Sequence, residues 1–222
     1  MSDGRLVIGT KRYSSWSLRG WLPVRLAGLD VSEDVIPLRQ PDSSARITQV
    51  SPNGKVPCLE HRGVKVWDSL AIAEYCAELE PALWPENREA RAVARSISAE
   101  MHSGFQNVRS ALPMNLGRNN RPLKEPLSEA VIKDIARIDS IWTEALCWFG
   151  ADGDYLFGHD FTNADVAFAP IVARFLSYDI DVCGASRAYM KAVRKHPLMA
   201  QWYEEAEREP SEWLVDAFET IE

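Results

Sequence analysis

Residues 51–79 read SPNGKVPCLEHRGVKVWDSLAIAEYCAEL. The Asn-Gly pair near the start is typical of a tight turn, and the link HRG has hairpin length between two apolar runs, Val56–Glu60 and Val64–Trp67. An Asp-Ser pair of cap-type residues follows, so we predict a helix over Ser69–Leu79. The stretch therefore predicts a β-hairpin that leads directly into a helix.

Two further strand signals precede this hairpin. Arg5–Gly9 (RLVIG) has the composition of a buried strand, and Asp34–Leu38 (DVIPL) that of an edge strand, because Pro37 cannot donate a ladder hydrogen bond. Between them, a helical segment lies within Ser15–Ala27. This order of elements predicts a small α/β sheet domain over residues 1–80.

The second part of the chain has a different character. Glu80–Glu89 contains two prolines and several charges, which is typical of a linker. After it, apolar residues recur at every three or four positions in two long runs, 90–112 and 127–146, and both runs predict amphipathic helices. A shorter helix is predicted over Pro197–Glu207. We therefore predict an all-helical domain over residues 88–222.

One helix start is marked more clearly than the others. Thr162 is a cap-type residue with an acid, Asp165, three positions later. The apolar pair Phe161 and Val166 has the spacing of a hydrophobic staple. We predict that a helix starts at Thr162, and the pattern indicates a folding signal rather than a site of chemistry.

Charge and composition limit the class of partner. The 222 residues include 25 basic and 32 acidic side chains, which gives a net charge of −7. Such a surface repels phosphate backbones and anionic lipids, so we expect neither a nucleic acid nor a membrane partner. No apolar run approaches the ~20 residues that cross a bilayer, and the first residues lack a signal-peptide core. We therefore expect a cytoplasmic protein.

The cysteines do not form a recognisable framework. They show neither a C-x-x-C pair nor a spacing typical of zinc sites, and the four histidines are equally scattered. We expect buried, reduced thiols and no metal site. The cysteines are Cys58, Cys76, Cys147 and Cys183.

The sequence lacks the usual catalytic motifs, including phosphate-binding glycine loops, G-x-S-x-G and H-E-x-x-H. One remaining feature is the corner Tyr13–Arg19 (YSSWSLR), which follows the first predicted strand and opens the first helix. Serines at such a corner commonly cap the helix, but their hydroxyls and the helix amides also suit an anion or a thiolate. Pro23 costs about 3 kcal/mol inside a helix, so we expect an irregular first turn or a helix that begins after Ser15.

Two further features lie in the opening stretch. In Lys55-Val56-Pro57, a cis Val56–Pro57 bond would turn the backbone of Val56 toward solvent, where it could pair with a peptide ligand, although a trans bond is the usual state. Asp68-Ser69 can act as a cap alone, or can leave a hydroxyl and free amides that hold a carboxylate. Both alternatives stay open from the residues alone.

Taken in this order, the features resemble the cytosolic glutathione transferases over nearly the whole chain. The marks are the Ser-Ser-x-Ser-x-Arg corner, the Lys-Val-Pro segment, the Asp-Ser-Leu-Ala-Ile helix start and the Thr-x-x-Asp box. The resemblance implies a thioredoxin-like α/β domain over 1–80 and an all-α domain over 88–222. The corner is most similar to the zeta class, which has the motif Ser-Ser-Cys-Ser and includes maleylacetoacetate isomerases. Trp16 stands where that class has its cysteine.

The resemblance also implies that glutathione is a co-substrate. Ser14 is expected to donate a hydrogen bond to the thiolate of glutathione, with Ser15 as the alternate donor or as the helix cap. The backbone of Val56 would pair with the cysteinyl part of glutathione, and Ser69 would hold the γ-glutamyl carboxylate with help from Asp68. The full set of expected glutathione-binding residues is Lys55, Val56, Pro57, Asp68, Ser69 and Gln106.

The electrophile is expected between the domains, near Met101, His102 and Phe105. Core packing is the alternative role for Met101 and Phe105, which lie on the apolar stripe of a predicted helix, and a surface position is the alternative for His102. Arg19 is expected either to be structural or to favour the thiolate through its charge.

A substrate-binding arginine of the isomerases falls at Ser177, and Arg174, one turn earlier, could replace it. We expect a glutathione transferase that activates the thiol through a serine hydroxyl for attack on a small apolar electrophile. The alternatives are a glutathione-dependent cis-trans isomerase of the zeta type and a non-catalytic binding module with the same fold. The family resemblance further implies a homodimer.

Overall fold

The computed structural model describes residues 2–151 and 153–221. Within them the chain forms a sheet of four strands, ten α-helices and two short 3-10 helices, and no helix combines the length and apolarity needed to cross a membrane. The strands are β1 (Gly4–Gly9), β2 (Ser32–Ile36), β3 (Cys58–His61) and β4 (Val64–Trp67). The α-helices are α1 (Ser15–Leu26), α2 (Ser43–Val50), α3 (Ser69–Leu79), α4 (Arg88–Ser103), α5 (Gln106–Ala111), α6 (Glu129–Phe149), α7 (Asn163–Ser177), α8 (Gly184–Lys195), α9 (Pro197–Glu207) and α10 (Asp216–Glu219).

The sheet is mixed and has the order β2-β1-β3-β4. β1 pairs in parallel with β2 and antiparallel with β3, and β3 forms with β4 the hairpin predicted from the opening stretch. α1 supplies the crossover between β1 and β2, since parallel strands cannot be joined by a tight turn. This thioredoxin-like sheet, followed by a helical region, confirms the fold class expected from the sequence.

The sheet part and the helical part share one hydrophobic core. α1 packs against α3 and also against α7, and its residues Leu18, Trp21 and Leu22 are fully buried. A large apolar side chain contributes about 1.5–3 kcal/mol when it is fully buried. This shared core therefore fixes how the two parts of the chain meet.

α1 begins at Ser15 and runs without a break through Pro23, so the expected irregular first turn or later start is wrong. An internal proline costs about 3 kcal/mol because it lacks an N–H and crowds the preceding turn. Nearly all residues of α1 from Ser15 to Val24 are buried, and tertiary packing supplies most of the stability of such a helix. Packing on both sides therefore offsets the cost of the proline.

The second and third strands are displaced from their predicted bounds. The second is β2, an edge strand as predicted, and its pairing with β1 ends at Ile36, so that Pro37 falls just outside the ladder. The third, β3, begins only at Cys58, directly after Pro57. Both changes have the same cause, because a proline has no N–H to donate to a neighbouring strand.

The single long helix predicted over 90–112 is wrong, because the segment is divided into α4 and α5. The break lies at Gly104 and Phe105, where Phe105 adopts a left-handed conformation with φ 57°. A Cβ at Gly104 would lie 2.8 Å from the carbonyl oxygen of Glu100, so only glycine fits there. The apolar periodicity continues across the break because Phe105 and Val108 enter the same core as α4.

Two cysteines depart from the expectation of buried thiols. Cys58 and Cys76 are buried, Cys147 and Cys183 are exposed, and all four are free. Cys183 is exposed because it caps α8, a helix absent from the sequence-based predictions, and its Sγ accepts a hydrogen bond from the N–H of Ser186. Cys147 lies on the solvent-facing side of α6.

α7 begins as predicted, with Thr162 as its N-cap. The Asp165 carboxylate accepts hydrogen bonds from the N–H of Thr162 at 2.9 Å, from its hydroxyl at 3.0 Å and from the N–H of Leu156 at 3.2 Å. Burial raises the pKa of Asp165 to about 6, although these hydrogen bonds oppose the change. Asp165 has no exposed surface, so this helix start is closed to any ligand.

Candidate functional site

A cavity of about 230 Å³ opens between the start of α3, the turn before β3 and the end of α4. The fold brings to it five of the six residues expected to bind glutathione, and one of the three expected near the electrophile. The lining residues are Trp16, Asn53, Lys55, Val56, Pro57, Asp68, Ser69 and His102.

The start of α3 forms one wall of this cavity. Asp68 adopts φ 73°, a left-handed value that costs a non-glycine residue about 1–3 kcal/mol. In this conformation its Oδ1 accepts a hydrogen bond from the N–H of Leu70 at 2.8 Å and caps the helix. The first N–H groups of a helix have no partner inside it, and Ser69 adds a hydroxyl at the same end. This wall therefore offers donors and the positive end of a helix dipole to an anion.

Val56 and Pro57 form a second wall. The Val56–Pro57 peptide bond is cis, as one of the two alternatives from the sequence requires. Because the ladder of β3 begins at Cys58, the sheet does not use the main chain of Val56. Pro57 packs against α1 at Gly20, where an added Cβ would lie 2.5 Å from Pro57 Cγ, so glycine permits this close approach.

The serine corner lies at the start of α1. Ser14 is the N-cap, and its Oγ accepts from the N–H of Ser17 at 3.3 Å and donates to Ser17 Oγ at 2.7 Å. The expectation of Ser15 as the cap is therefore wrong, because Ser14 is the residue whose hydroxyl reaches the first turn. Ser17 Oγ also accepts from the N–H of Gly9 at 2.9 Å. Ser14 and Ser15 are 7% and 8% exposed, and Trp16 rather than either serine lines the cavity.

Arg174 reaches this corner from α7. Its Nη2 lies 3.4 Å from Ser15 Oγ, and its Nε donates to the carbonyl of Leu112 at 2.7 Å. Ser177, one turn later, points elsewhere and donates its hydroxyl to the carbonyl of Asn115 at 3.1 Å. Of the two positions considered for the isomerase arginine, only Arg174 is therefore next to the serines.

The indole of Trp16 is half-buried between three cationic or ionisable groups. The guanidinium of Arg19 lies 4.8 Å from the ring centre and that of Arg109 lies 5.3 Å away. The imidazole of His102 meets the indole edge-on at 5.0 Å. Cation–π contacts of this kind contribute about 0.5–2 kcal/mol each, so the ring is held at the border of the cavity.

The arginines around Trp16 form a cluster of positive charge. Arg19 is 4% exposed, its Nε donates to the carbonyl of Ala167 at 2.8 Å, and both of its terminal nitrogens are buried without a partner in the described part of the chain. Burial lowers the pKa of Arg19, Arg109 and Arg174, and repulsion among them adds to the change at Arg19 and Arg174. Of the three, only Arg109 is near an opposing carboxylate, that of Asp134. Buried charges normally have partners, so this cluster favours a bound anion.

His102 joins the helical part of the chain to the start of α3. Its Nε2 lies 3.4 Å from Asp68 Oδ2, and its side chain is half-buried at the cavity. It is therefore neither a core residue nor a free surface histidine. In residues 2–151 and 153–221, no group of three or more His, Cys, Asp or Glu side chains is arranged to hold a metal ion.

Three residues predicted for the site lie away from the cavity. Met101 is fully buried and Phe105 is 9% exposed, and both pack in the shared core, which is the alternative role considered for them. Gln106 is exposed, with its Nε2 donating to Ser110 at 3.0 Å and its Oε1 accepting from Arg109 at 3.0 Å.

Sequence reasoning missed three residues of the site. Asn53 lines the cavity, and its Oδ1 accepts from the N–H of Lys55 at 3.0 Å, a role that its place in the Asn-Gly turn could have indicated. Ser17 belongs to the serine corner, but nothing in the sequence shows that it contacts Ser14. Arg109 carries no local signal, because its contact with Trp16 joins two separate helices.

The N-terminal part of the chain, which supplies most of this site, matches a known family. Residues 13–79 match the family described as "Glutathione S-transferase, N-terminal domain". The matched segment includes the serine corner, the cis-proline and the whole of α3.

Sequence relatives cover most of the chain. Maleylacetoacetate isomerase of Rattus norvegicus is 27% identical over 191 residues, which is 82% of this chain and 83% of the relative. A probable maleylacetoacetate isomerase of Caenorhabditis elegans is 25% identical over 187 residues, with coverage of 82% and 84%.

Solved structures share the fold. A glutathione transferase homolog from Burkholderia gl BGR1 with bound glutathione has a TM-score of 0.70 and 24% identity, and the match covers 93% of this chain and 99% of that one. A Nu-class glutathione transferase from Haemonchus contortus has a TM-score of 0.71 and 22% identity, with coverage of 95% and 99%.

Proposed function

We propose that the chain, whose residues 13–79 match the glutathione S-transferase N-terminal domain, binds glutathione and activates its thiol for attack on a small electrophile. One observation carries the proposal. The positive charges of Arg19, Arg109 and Arg174 lie around the serine corner, and none forms an ion pair within the described residues. A thiolate bound at this corner would supply the missing negative charge.

The peptide part of glutathione would lie in the cavity. The start of α3, with the hydroxyl of Ser69 and the cap Asp68, has the donors that a carboxylate needs. The main chain of Val56, held by Pro57, would pair with the cysteinyl residue. Lys55 is exposed at the same cavity and would add a positive charge. Gln106 stays a predicted contact, because its side chain would have to leave Ser110 and Arg109.

Ser14 is the proposed donor to the sulfur. A free thiol has a pKa of about 8.5, and the thiolate is the nucleophile. A hydroxyl is too weak a base to remove the proton, but its hydrogen bond to the anion contributes about 1.5–3 kcal/mol. Since one pKa unit corresponds to about 1.36 kcal/mol, this bond would lower the pKa of the thiol by roughly one to two. Ser15 is the alternate donor.

Ser17 supports this role of Ser14. Ser14 donates to Ser17 Oγ at 2.7 Å, and Ser17 Oγ also accepts from the N–H of Gly9; when glutathione binds, the bond between the two serines would reverse so that Ser17 donates to Ser14. The proton of Ser14 is then available to the sulfur. The network thus links the end of β1 to the bound thiolate without another charged group.

The chemical step would be a nucleophilic substitution or addition. The thiol proton passes to water when glutathione binds as the thiolate. In a substitution the sulfur bonds to an electrophilic carbon and a leaving group departs with the electron pair of its bond. In an addition the sulfur bonds to one carbon of a double bond, and the displaced π electron pair takes up a proton from water. Trp16 and His102 form the nearest wall for a small apolar electrophile, whereas Met101 and Phe105 would act on it only through the core.

Titration calorimetry with glutathione, followed by conjugation of a generic aryl halide, tests the proposal. We expect binding, turnover and an absorbance of the thiolate at neutral pH in the wild-type protein. Binding without turnover, unchanged in a Ser14→Ala variant, would support the alternative of a non-catalytic module. Absence of any heat of binding contradicts both.

A glutathione-dependent cis-trans isomerase is the second candidate. Two observations favour it: the relatives from rat and nematode are named maleylacetoacetate isomerases, and Arg174 lies beside Ser15. Trp16 at the position of the zeta-class cysteine is the departure that opposes it. A direct assay with maleylacetoacetate tests this hypothesis. If the chain is an isomerase, Arg174→Lys should lower its isomerase activity.

The proposal also includes the domain bounds and the oligomeric state. We expect the sheet domain to span 1–80 and the helical domain 88–222, and we expect a homodimer as the family resemblance implies. Val64 and Trp67 on the edge strand β4 are 52% and 43% exposed, which leaves apolar surface for a second copy. Sedimentation of the purified chain tests the dimer independently of the activity.

A further inference from the structure

The residues before Ser14 are held by the far end of the chain. Lys11 and Arg12 donate their main-chain N–H groups to one carboxylate, that of Glu209, at 2.5 and 3.1 Å. The carbonyl of Lys11 accepts from the indole N–H of Trp202 at 3.1 Å. Glu209 lies 198 positions after Lys11, so the backbone that leads into the serine corner is fixed by a distant segment.

A second acid of the same segment holds the side chains of this loop. The guanidinium of Arg12 donates to the carboxylate of Glu219 through Nε at 2.9 Å and Nη2 at 3.0 Å, and the hydroxyl of Tyr13 also donates to it. The Tyr13 hydroxyl accepts in turn from the N–H of Val215 at 3.2 Å. The ring of Tyr13 packs against Phe218 with centres 5.4 Å apart.

These contacts are charged and largely buried, with the side chains of Arg12 and Glu219 19% and 28% exposed. Lys11 and Tyr13 are 5% and 8% exposed. Burial opposes ionisation of Glu219, but hydrogen bonds from Arg12 and Tyr13 outweigh it and lower the pKa of Glu219. Glu219 is therefore a carboxylate at neutral pH and holds two consecutive side chains at once.

We propose that residues 209–219, here called the C-terminal strap, position the serine corner, with Glu209 and Glu219 as positioning residues for the hydroxyl of Ser14. This inference rests on the proposed function. The two carboxylates contact the loop and not the substrate, and they act through Ser14, which follows Tyr13 directly. Small displacements of a reacting group reduce rates steeply, so the strap would set the distance between this hydroxyl and the sulfur.

The strap should affect the activation of the thiol of glutathione and not the binding of its peptide part. The proposed contacts of the peptide, Val56 and Ser69, line a cavity to which the strap contributes no residue, and neither forms a hydrogen bond with the strap in the described residues. Loosening the strap should therefore raise the pKa of the bound thiol and leave the affinity for glutathione nearly unaltered. A residue with a purely structural role would instead lower the fraction of active protein, and with it the apparent kcat and the binding stoichiometry, without changing the pKa of the bound thiol.

The experiment compares Glu209→Gln and Glu219→Gln with Glu212→Gln, which removes the same charge from an exposed position of the strap. For each variant, kcat, the KM for glutathione and the pKa of the bound thiol are measured, the last from the absorbance of the thiolate against pH. We expect kcat to fall at least about five-fold in the two test variants. The pKa of the thiol should rise toward about 8.5, KM should change less than about two-fold, and Glu212→Gln should match the wild type.

A Tyr13→Phe variant serves as a milder test in case a glutamine variant does not fold. It removes only one hydroxyl from the Glu219 contact, and it should change kcat and the thiol pKa in the same direction by a smaller amount. Unchanged kcat and thiol pKa in both test variants overturn the inference, as does a loss that follows the folded fraction in circular dichroism. A wild-type protein that never forms the thiolate instead defeats the proposed function, and the inference with it. The two failures are thus distinguished by the wild type alone.

Discussion

Two helix starts in this chain carry similar cap signals and have opposite surroundings. At the start of α7, the Asp165 carboxylate accepts three hydrogen bonds from the chain and is completely buried. At the start of α3, Asp68 accepts one N–H, from Leu70, and Ser69 lines an open cavity. A cap signal thus indicates where a helix begins, whereas the space in front of the helix decides whether its start can bind a ligand.

The start of α1 lies between these extremes. Ser14 caps the helix and bonds to Ser17, so its hydroxyl is occupied as at α7. Arg174 reaches the same corner and brings a charge without a counterion, as a ligand site would. The starts of α7, α1 and α3 therefore form a series from closed to open, and the effects of substitution should differ along it.

The largest effect is expected at the closed start. Asp165→Ala leaves the N–H groups of Thr162 and Leu156 buried without a partner, so the free energy of unfolding should fall by about 2–4 kcal/mol. The matched change at the open start, Asp68→Ala, removes an exposed cap and the contact with His102 and should cost about 1 kcal/mol. Urea unfolding measures both. Equal losses at the two positions would break the comparison.

The closed start should also respond to pH. The pKa of Asp165 in the folded protein, about 6, is above the ordinary value of 3.8, so the folded state binds this proton more tightly than the unfolded chain does. The resulting stability is fully present below about pH 4 and is lost as the pH rises through about 6, by at most about 3 kcal/mol. The difference in unfolding free energy between wild type and Asp165→Asn, followed over this range, isolates the effect. A difference that stays constant contradicts it.

At the intermediate start, Ser14→Ala should raise the pKa of the bound thiol by roughly one to two and, because the thiolate fraction falls, reduce kcat at pH 7 about eight- to twenty-five-fold. The affinity for glutathione should change little, because the peptide contacts lie elsewhere. Ser15→Ala is the matched control and should behave nearly as wild type. If the two variants exchange their effects, Ser15 is the donor.

The smallest effect is expected at the open start. Ser69→Ala removes one hydroxyl from the proposed carboxylate site, which should weaken glutathione binding about five- to ten-fold. At saturating glutathione, kcat should equal that of the wild type, since the sulfur is held at the other helix. Calorimetry and initial rates measure the two quantities. A fall in kcat without a loss of affinity would place the carboxylate elsewhere.

Much of the fold could be predicted because its signals are local. The bounds of β4, α3 and α9 match the prediction residue for residue, since Gly63, Asp68 and Pro197 mark their ends with turn and cap chemistry. The predictions fail where distant packing decides. Pro23 is tolerated because the helix around it is buried on both sides, and the break at Gly104 is hidden by an apolar stripe that runs across it.

The residues of the site also fall into two groups, those with a local sequence signal and those placed by contacts between distant elements. The cap at Asp68 and the Ser14 corner follow from motifs a few residues long. The contact between Trp16 and Arg109, and that between His102 and Asp68, join elements far apart in the chain, so no local pattern contains them. The state of Arg19 could not be predicted from the sequence either. Only the folded chain shows that both terminal nitrogens of its guanidinium are buried without a hydrogen-bond partner in the described residues.

The position of Trp16 gives this chain an optical reporter at its own binding site. The indole borders the cavity and touches two guanidinium groups and an imidazole, so its emission depends on the charge placed beside it. A bound thiolate would change that field directly. The difference in fluorescence between the wild type and Trp16→Phe would follow occupancy in real time, without a label and without turnover.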